Sequence, residues 1–364
     1  MSTIHAKRRC WYGSRFASGM INLEQSRPTA PIRIGYIPLV DCAPLLVARE
    51  RGLFEKHAIQ VQISPQPGWA TIREKLVNQE LEAAACLGPL AIAINQGIGT
   101  VARPIDVPLI LNANGNGITL SNKLTPEIVE KPKGLLDYLN DWKEERPFTL
   151  ASVHPCSSHH VLLTHWLKQH HIANHPNLSV VSLPPQIVVR NLAIGNIDGF
   201  CVGEPWNSVS ILAGQGWCAA TSPDLSKGHP EKVLALTRSF TKRFPKKALA
   251  LTAALLEACR YCQDPANRED LIKILTAENQ LANARDAIAN SLGDHFLTGQ
   301  DKAFRQLPDF HIYHHPDVNA PSSRSSSWLV DGLRQTGLLN ATNSIPREEI
   351  FRMDLFRQAQ SLTQ

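Results

Sequence analysis

Residues 157–167, SSHHVLLTHWL, and residues 201–207, CVGEPWN, decide the fold. The first reads as the end of a strand running into a helix, with Ser157 and Ser158 at the cap and His159 in the first turn. An anion fits there: free backbone N–H groups and the positive end of the helix dipole point at one spot, and these side chains add donors without negative charge. The second ends another strand, IDGFCVGEP (197–205). An ordinary helix cap and an ordinary buried strand would be written in the same letters. If both segments belong to a parallel sheet, they face one crevice at the carboxyl ends of its strands.

The sequence on either side supplies that sheet. Between the two motifs, LSVVSL (178–183) has strand character and PPQIVVRNLAIG (184–195) has helical spacing, while FTLASV (148–153) precedes the first, so this region is a βαβαβ unit. An equivalent alternation begins at Pro31. IRIGYIPL (32–39), IQVQISPQ (59–66), AAACLGPL (83–90) and VPLILNANGNGITLS (107–121) read as strands, the last breaking at the turn formers Asn114 to Gly117. Helical runs DCAPLLVARERGLFEKH (41–57), TIREKLVNQELEA (71–83) and AIAINQGI (91–98) lie between them. The fold class is therefore α/β, with two α/β lobes and a ligand cleft between them. The polar, proline-interrupted segment 125–147 reads as the hinge into the second lobe, and EKVLALTRSF (231–240) as the strand that returns to the first. The expected organisation is a flexible tail over 1–30, lobe 1 over 31–124 and 231–345, lobe 2 over 125–230, and a C-terminal tail over 346–364.

A chain of 364 residues suits two lobes of ordinary size, and 43% hydrophobic with 19% charged residues are globular values. The net charge of +5 is spread along the chain, which speaks against direct contact with nucleic acid and suits a small anion. No apolar run is long enough to cross a membrane. Residues 1–30 have a basic start but no continuous apolar stretch after it, so a cytoplasmic location is expected, with export as the alternative. The eight cysteines are scattered through mostly apolar segments, as buried reduced thiols would be. Cys259 and Cys262 form a CxxC inside a helical run, with no second pair to complete a metal site. The histidines clustered over 159–175 lack the spacing that brings two onto one helix face with a third ligand, so no metal is expected. No GxSxG, P-loop or GxGxxG follows a strand, which is poor material for an enzyme.

Trp69, at a strand-to-helix turn behind Gly68, is either core or the wall of a cleft. Asn116 is either a turn former or an amide donor to an anion. Lys227, near the return crossing, is either a solvated loop charge or the single cation that a monovalent anion needs. Glu204 would repel an anion and is better assigned to fixing Lys227 or a backbone N–H, or to holding a cation.

The segments 32–57, 67–76 (PGWATIREKL), 111–121, 157–167, 184–207 and 227–240 (KGHPEKVLALTRSF) together resemble the nitrate/nitrite- and bicarbonate-binding proteins of ABC-transporter type. The resemblance spans about residues 31–345, and CVGEPWN with HPEK is its most specific part. It implies a type 2 periplasmic-binding-protein fold and puts Trp69, Asn116, His159 and Lys227 at ligand-contacting positions; the helix cap and the end of the CVGEP strand add Ser158 and Glu204 to the expected ligand-binding residues. Within that family the chain looks most like the cytoplasmic nitrate sensor of the nitrate/nitrite antitermination system. Such a sensor implies nitrate or nitrite as ligand, no cofactor, and an ANTAR-type RNA-binding antiterminator as partner. A substrate-binding subunit working with an ABC-transporter permease is the alternative.

Overall fold

The computed structural model describes residues 30–299 and 303–363. The N-terminal tail expected over 1–30 lies, but for residue 30, outside the described residues. Two five-stranded sheets organise the rest. The first contains β1 (Ile32–Tyr36), β2 (Val61–Pro65), β3 (Ala83–Leu87), β4 (Ile105–Ile110) and, much later in the chain, Lys232–Thr237. Between them come the short strand β5 (Ala113–Asn114), then β6 (Asn116–Ser121), β7 (Phe148–Ser152), β8 (Leu178–Ser182), β9 (Gly199–Gly203) and β10 (Gly216–Thr221), which makes Lys232–Thr237 β11. The strand orders are β2-β1-β3-β11-β4 and β10-β6-β9-β7-β8.

The two sheets follow one plan. In the first, β1 runs parallel to β2 and β3, and β11 is antiparallel to β3 and β4. In the second, β7 runs parallel to β8 and β9, and β6 is antiparallel to β9 and β10. In each sheet the antiparallel strand next to the edge, β11 in the first and β6 in the second, has just arrived from the other lobe. The parallel strands are fully buried where helices cover both faces, which is why β3, β7 and β9 read as continuous apolar runs rather than alternating ones.

The chain changes lobes twice, and the two crossings lie side by side. Leu111 N–H donates to Lys232 O at 2.7 Å, Asn114 N–H to His229 O at 3.1 Å and Glu231 N–H to Asn112 O at 3.0 Å, and Ala113 pairs with Pro230. The first crossing therefore lies between Ile110 and Asn116, where Asn114 and Gly115 take left-handed φ of 62° and 87°. This corrects two expectations. The hinge is not at 125–147, whose two helices (Pro126–Glu130 and Gly134–Asn140) bury Val129, Leu135 and Leu139 in the second lobe. The boundary is not at residue 124 either, because β6 already pairs with β9 and β10 in the second sheet.

Two further differences concern helices. The run 41–57 is broken at Gly52, whose φ of 63° ends Ala43–Glu50 and starts Leu53–Lys56. Residues 346–364 contain no free tail where they are described: Phe351 bridges to Val107 of β4, and the helix Met353–Leu362 buries Leu355, Phe356 and Ala359. Arg352 and Arg238 both reach the fully buried Asp106, at 3.4 and 2.9 Å, which ties this segment to the first sheet. Among the described residues no helix is long and apolar enough to cross a membrane, and the seven cysteines are buried and unpaired.

Candidate functional site

Seven side chains from both lobes meet behind the paired crossings. Trp69 stands at the first position of the helix Trp69–Val77, after an extended Gly68, and is 2% exposed. Asp41 comes from the turn after β1. Asn116 opens β6, Ser158 and His159 open the helix Ser158–Gln169, and Glu231 with Lys232 enters β11. Asp41, Asn116, Ser158, His159, Glu231 and Lys232 are all buried. Their convergence is visible at Gly203, where a Cβ would lie 3.3 Å from Asp41 Oδ2, 3.4 Å from Asn116 Oδ1 and 3.5 Å from His159 Nε2. A side chain at this end of β9 would fill the site.

Lys232 is the cation of this cluster. Its Nζ is 2.6 Å from Asp41 Oδ2 and 2.7 Å from Glu231 Oε1, and 5.2 Å from the centroid of the Trp69 ring. Burial works to lower its pKa, but Asp41 and then Glu231 raise it above the ordinary lysine value. Burial pushes Asp41 up to about 6 against the pull of Lys232. Burial also works to raise Glu231, yet Lys232, His159 and His229 together outweigh it and hold that carboxyl well below its usual range. His159 is pushed down to about 3 by burial and is neutral at pH 7. His229 is lowered for the same reason. The ionised groups are thus one ammonium and two carboxylates.

Hydrogen bonds are unevenly shared. Asn116 Nδ2 donates to Glu231 Oε2 at 2.6 Å and Ser158 Oγ donates to the same oxygen. In contrast, Trp69 Nε1, both ring nitrogens of His159, Asn116 Oδ1 and Asp41 Oδ1 have no hydrogen-bond partner. Buried polar atoms are almost always satisfied, so this many orphans around one point mark a place built for something else to bind.

Of the residues singled out from sequence, Trp69, Asn116, Ser158 and His159 are brought together here. Ser157 serves locally: as N-cap, its Oγ accepts from His160 N–H at 3.0 Å. Lys227 is not part of the cluster. Its side chain is 71% exposed and 3.6 Å from Asp309, beside an outer cavity of about 470 Å³ that Ser226, His229, Arg324 and Trp328 also line. Lys227 ends the short helix Ser222–Ser226, five residues before the buried strand, so only Lys232 is carried inward. Glu204 is 1% exposed but does not fix Lys227, because Oε2 accepts from Ser208 N–H at 3.2 Å and Oε1 is unpartnered. Its backbone closes the lobes: Glu204 O accepts from Val40 N–H at 2.8 Å. Reading the sequence missed Lys232, Asp41 and Glu231. The available signal was a lysine opening the apolar run KVLAL at the return crossing, where a charge has no reason to be solvated. Among the described residues no group of His, Cys, Asp and Glu is arranged to hold a metal ion.

The chain matches the NMT1-like family over residues 25–276. It is 34% identical over 330 residues to the nitrate import ATP-binding protein NrtC of Synechocystis sp. PCC 6803, covering 90% of this chain and 49% of that protein. It is 28% identical over 340 residues to the nitrate/nitrite binding protein NrtA of Synechococcus elongatus, covering 90% and 77%. The chain spans about half the length of the ATP-binding relatives it matches, the bicarbonate transport protein CmpC of S. elongatus included, at 33% identity and 45% of its length. The crystal structure of the periplasmic nitrate-binding protein NrtA from Synechocystis PCC 6803 superposes with a TM-score of 0.85 at 26% identity, covering 91% of this chain and 88% of the other. The two-lobed periplasmic-binding-protein fold expected from sequence is the fold observed.

Proposed function

The chain belongs to the NMT1-like family, and on that premise we propose that it is a non-enzymatic binding protein that takes nitrate or nitrite in the buried point between its lobes. The observation that carries the reading is the gathering around the Lys232–Glu231 pair of donors from both lobes, with Trp69 Nε1 and the His159 ring nitrogens left unpartnered in a site closed to water. A monovalent anion accepts from the indole N–H and from the one N–H that a neutral imidazole carries, and needs one full positive charge, which a charge-assisted bond from Lys232 supplies. The family relatives that bear binding-protein names support nitrate and nitrite as the ligands. Bicarbonate is the second ligand of this reading, favoured by Asp41 Oδ1 and Asn116 Oδ1, which offer an acceptor to its hydroxyl.

Ligand that contacts both lobes favours their closed arrangement only by its differential affinity for it, and a hundredfold preference is worth about 2.7 kcal/mol. We assign that closure to signalling: a cytoplasmic sensor of nitrate assimilation presents a changed surface to an ANTAR-type antiterminator. Delivery to an ABC importer is the second role, favoured by the likeness to periplasmic NrtA. Co-purification with the antiterminator that responds to nitrate separates the two.

Isothermal titration with nitrate, nitrite and bicarbonate tests the ligand. Trp69→Phe keeps the apolar wall and removes the indole N–H, so it is expected to weaken nitrate about tenfold or more, the worth of a hydrogen bond to a charged acceptor. Lys227→Ala is expected to stay within about twofold of the parent, since exposed charges contribute little. No heat with any of the three anions, from folded protein, would defeat the assignment.

A further inference from the structure

The centre of the site is held by a carboxylate of the protein itself. Glu231 presents a planar, monovalent pair of oxygens to Lys232, the cation assigned above to the ligand, and to two further donors of the same cluster. Oε2 accepts from Asn116 Nδ2 at 2.6 Å and from Ser158 Oγ, while Oε1 accepts from Lys232 Nζ at 2.7 Å and stands 3.7 Å from His159 Nε2. Nitrite has this shape, and nitrate and bicarbonate contain it. The anchoring is across lobes as well: the Glu231 main chain is tied to the first crossing through Asn112 O at 3.0 Å and to the first lobe through Gly88 N–H at 3.1 Å, whereas Asn116 and Ser158 belong to the second.

A simpler role, counter-charge to Lys232, does not account for this. Asp41 already pairs with Lys232 at 2.6 Å, so the second carboxylate leaves a surplus negative charge in a buried site. Uncompensated buried charge is costly and is retained where it serves a purpose. Between the group and the outer cavity of about 470 Å³ stands His229, whose Nδ1 is 3.9 Å from Oε2 and whose ring stacks on Trp328.

We propose that Glu231 is a built-in stand-in for the anion: it fills the donor seat and latches the lobes when no ligand is bound, and an entering anion must displace it toward His229. The proposal rests on the anion-binding reading above and adds the residue that sets its affinity. Apparent affinity is the intrinsic affinity multiplied by the fraction of molecules with the seat free, so a carboxylate in place 90–99% of the time weakens binding about 10- to 100-fold.

The test uses the full chain, with thermal melts to confirm folding. Glu231→Gln, which keeps the size and an acceptor but not the charge, is expected to bind nitrate about 10- to 100-fold more tightly than the parent. Glu231→Ala empties the seat, and formate is expected to bind there in competition with nitrate, whereas the parent takes no formate. Parent protein that binds nitrate beside a Gln variant that binds it no better overturns the stand-in while leaving the anion reading intact. Independent, simultaneous binding of formate and nitrate to the Ala variant overturns it as well. If neither parent nor variants bind nitrate, the anion reading falls and the stand-in with it.

Discussion

Lys232→Met is expected to lower folding stability by about 3–5 kcal/mol, the usual result of removing one partner from a buried ion pair, and to abolish anion binding. The lysine is 1% exposed and lies between Asp41 and Glu231, which no other described cation reaches within salt-bridge distance. Without it two carboxylates face each other in an interior that cannot solvate them. The loss should therefore be greater near pH 8 than near pH 5, because the carboxylates escape the penalty only by taking up protons. Urea unfolding at the two pH values reads this directly. Adding Asp41→Asn and Glu231→Gln to the methionine removes the stranded charges, and the triple variant should regain most of the stability without regaining nitrate. An unchanged urea midpoint in Lys232→Met would mean that the lysine is not the buried counter-charge. Lys227→Ala, at an exposed position with a partner 3.6 Å away, should stay within about 0.5 kcal/mol of the parent.

The contrast between these two lysines shows how far the sequence could be read. Both stand in KGHPEK, and spacing alone cannot say which faces inward. A charged residue that opens an apolar strand usually turns its head to water, so Lys232 carried no mark of its burial until β11 was seen in the middle of the first sheet. The strands themselves were legible, because β3, β7, β9 and β11 are buried on both faces and appear as short apolar runs. Which sheet each joins was not. The turn formers at 114–117 announce that a strand breaks, and they look the same whether the chain folds back or crosses to another lobe. The helix Met353–Leu362 was hidden for a different reason: its apolar contacts lie with residues a hundred positions away, in the helix Pro245–Gln263. Trp69, Asn116, Ser158 and His159 were found because each stands at a junction where an element starts, the one feature of a site that local sequence records.

Glu204 is expected to show the opposite behaviour to Lys232: its neutral replacement Glu204→Gln should stabilise the protein, by about 2–3 kcal/mol near pH 7. The carboxyl is 1% exposed, Oε1 has no partner, and burial pushes its pKa up to about 8 against the pull of Ser208 and Asn207. The folded protein thus holds a proton that the unfolded chain releases near the ordinary glutamate value of 4.5. Since the native state binds more protons, this group's stability is fully present below that value and is lost as pH rises toward 8. Each pKa unit is worth 1.36 kcal/mol, which gives roughly 3 kcal/mol by pH 7 and a further fall of about 1 kcal/mol between pH 7 and 8.5. Over that interval Glu204 is isolated by the difference between the parent and Glu204→Gln. Asp41, with its midpoint near 6, is mostly ionised by pH 7, while the unfolded chain's imidazoles finish deprotonating and its thiols begin to ionise below 9.0, backgrounds common to both proteins. Unfolding measured across pH 7 to 8.5 should show the gap between Glu204→Gln and the parent widening by about 1 kcal/mol; parallel lines would mean that Glu204 is ionised in the fold. The proton has a consequence for the site. Glu204 follows Gly203, whose Cα borders the anion seat, and an ionised carboxylate there would repel the ligand; protonated, it closes the lobes through its backbone and adds no charge.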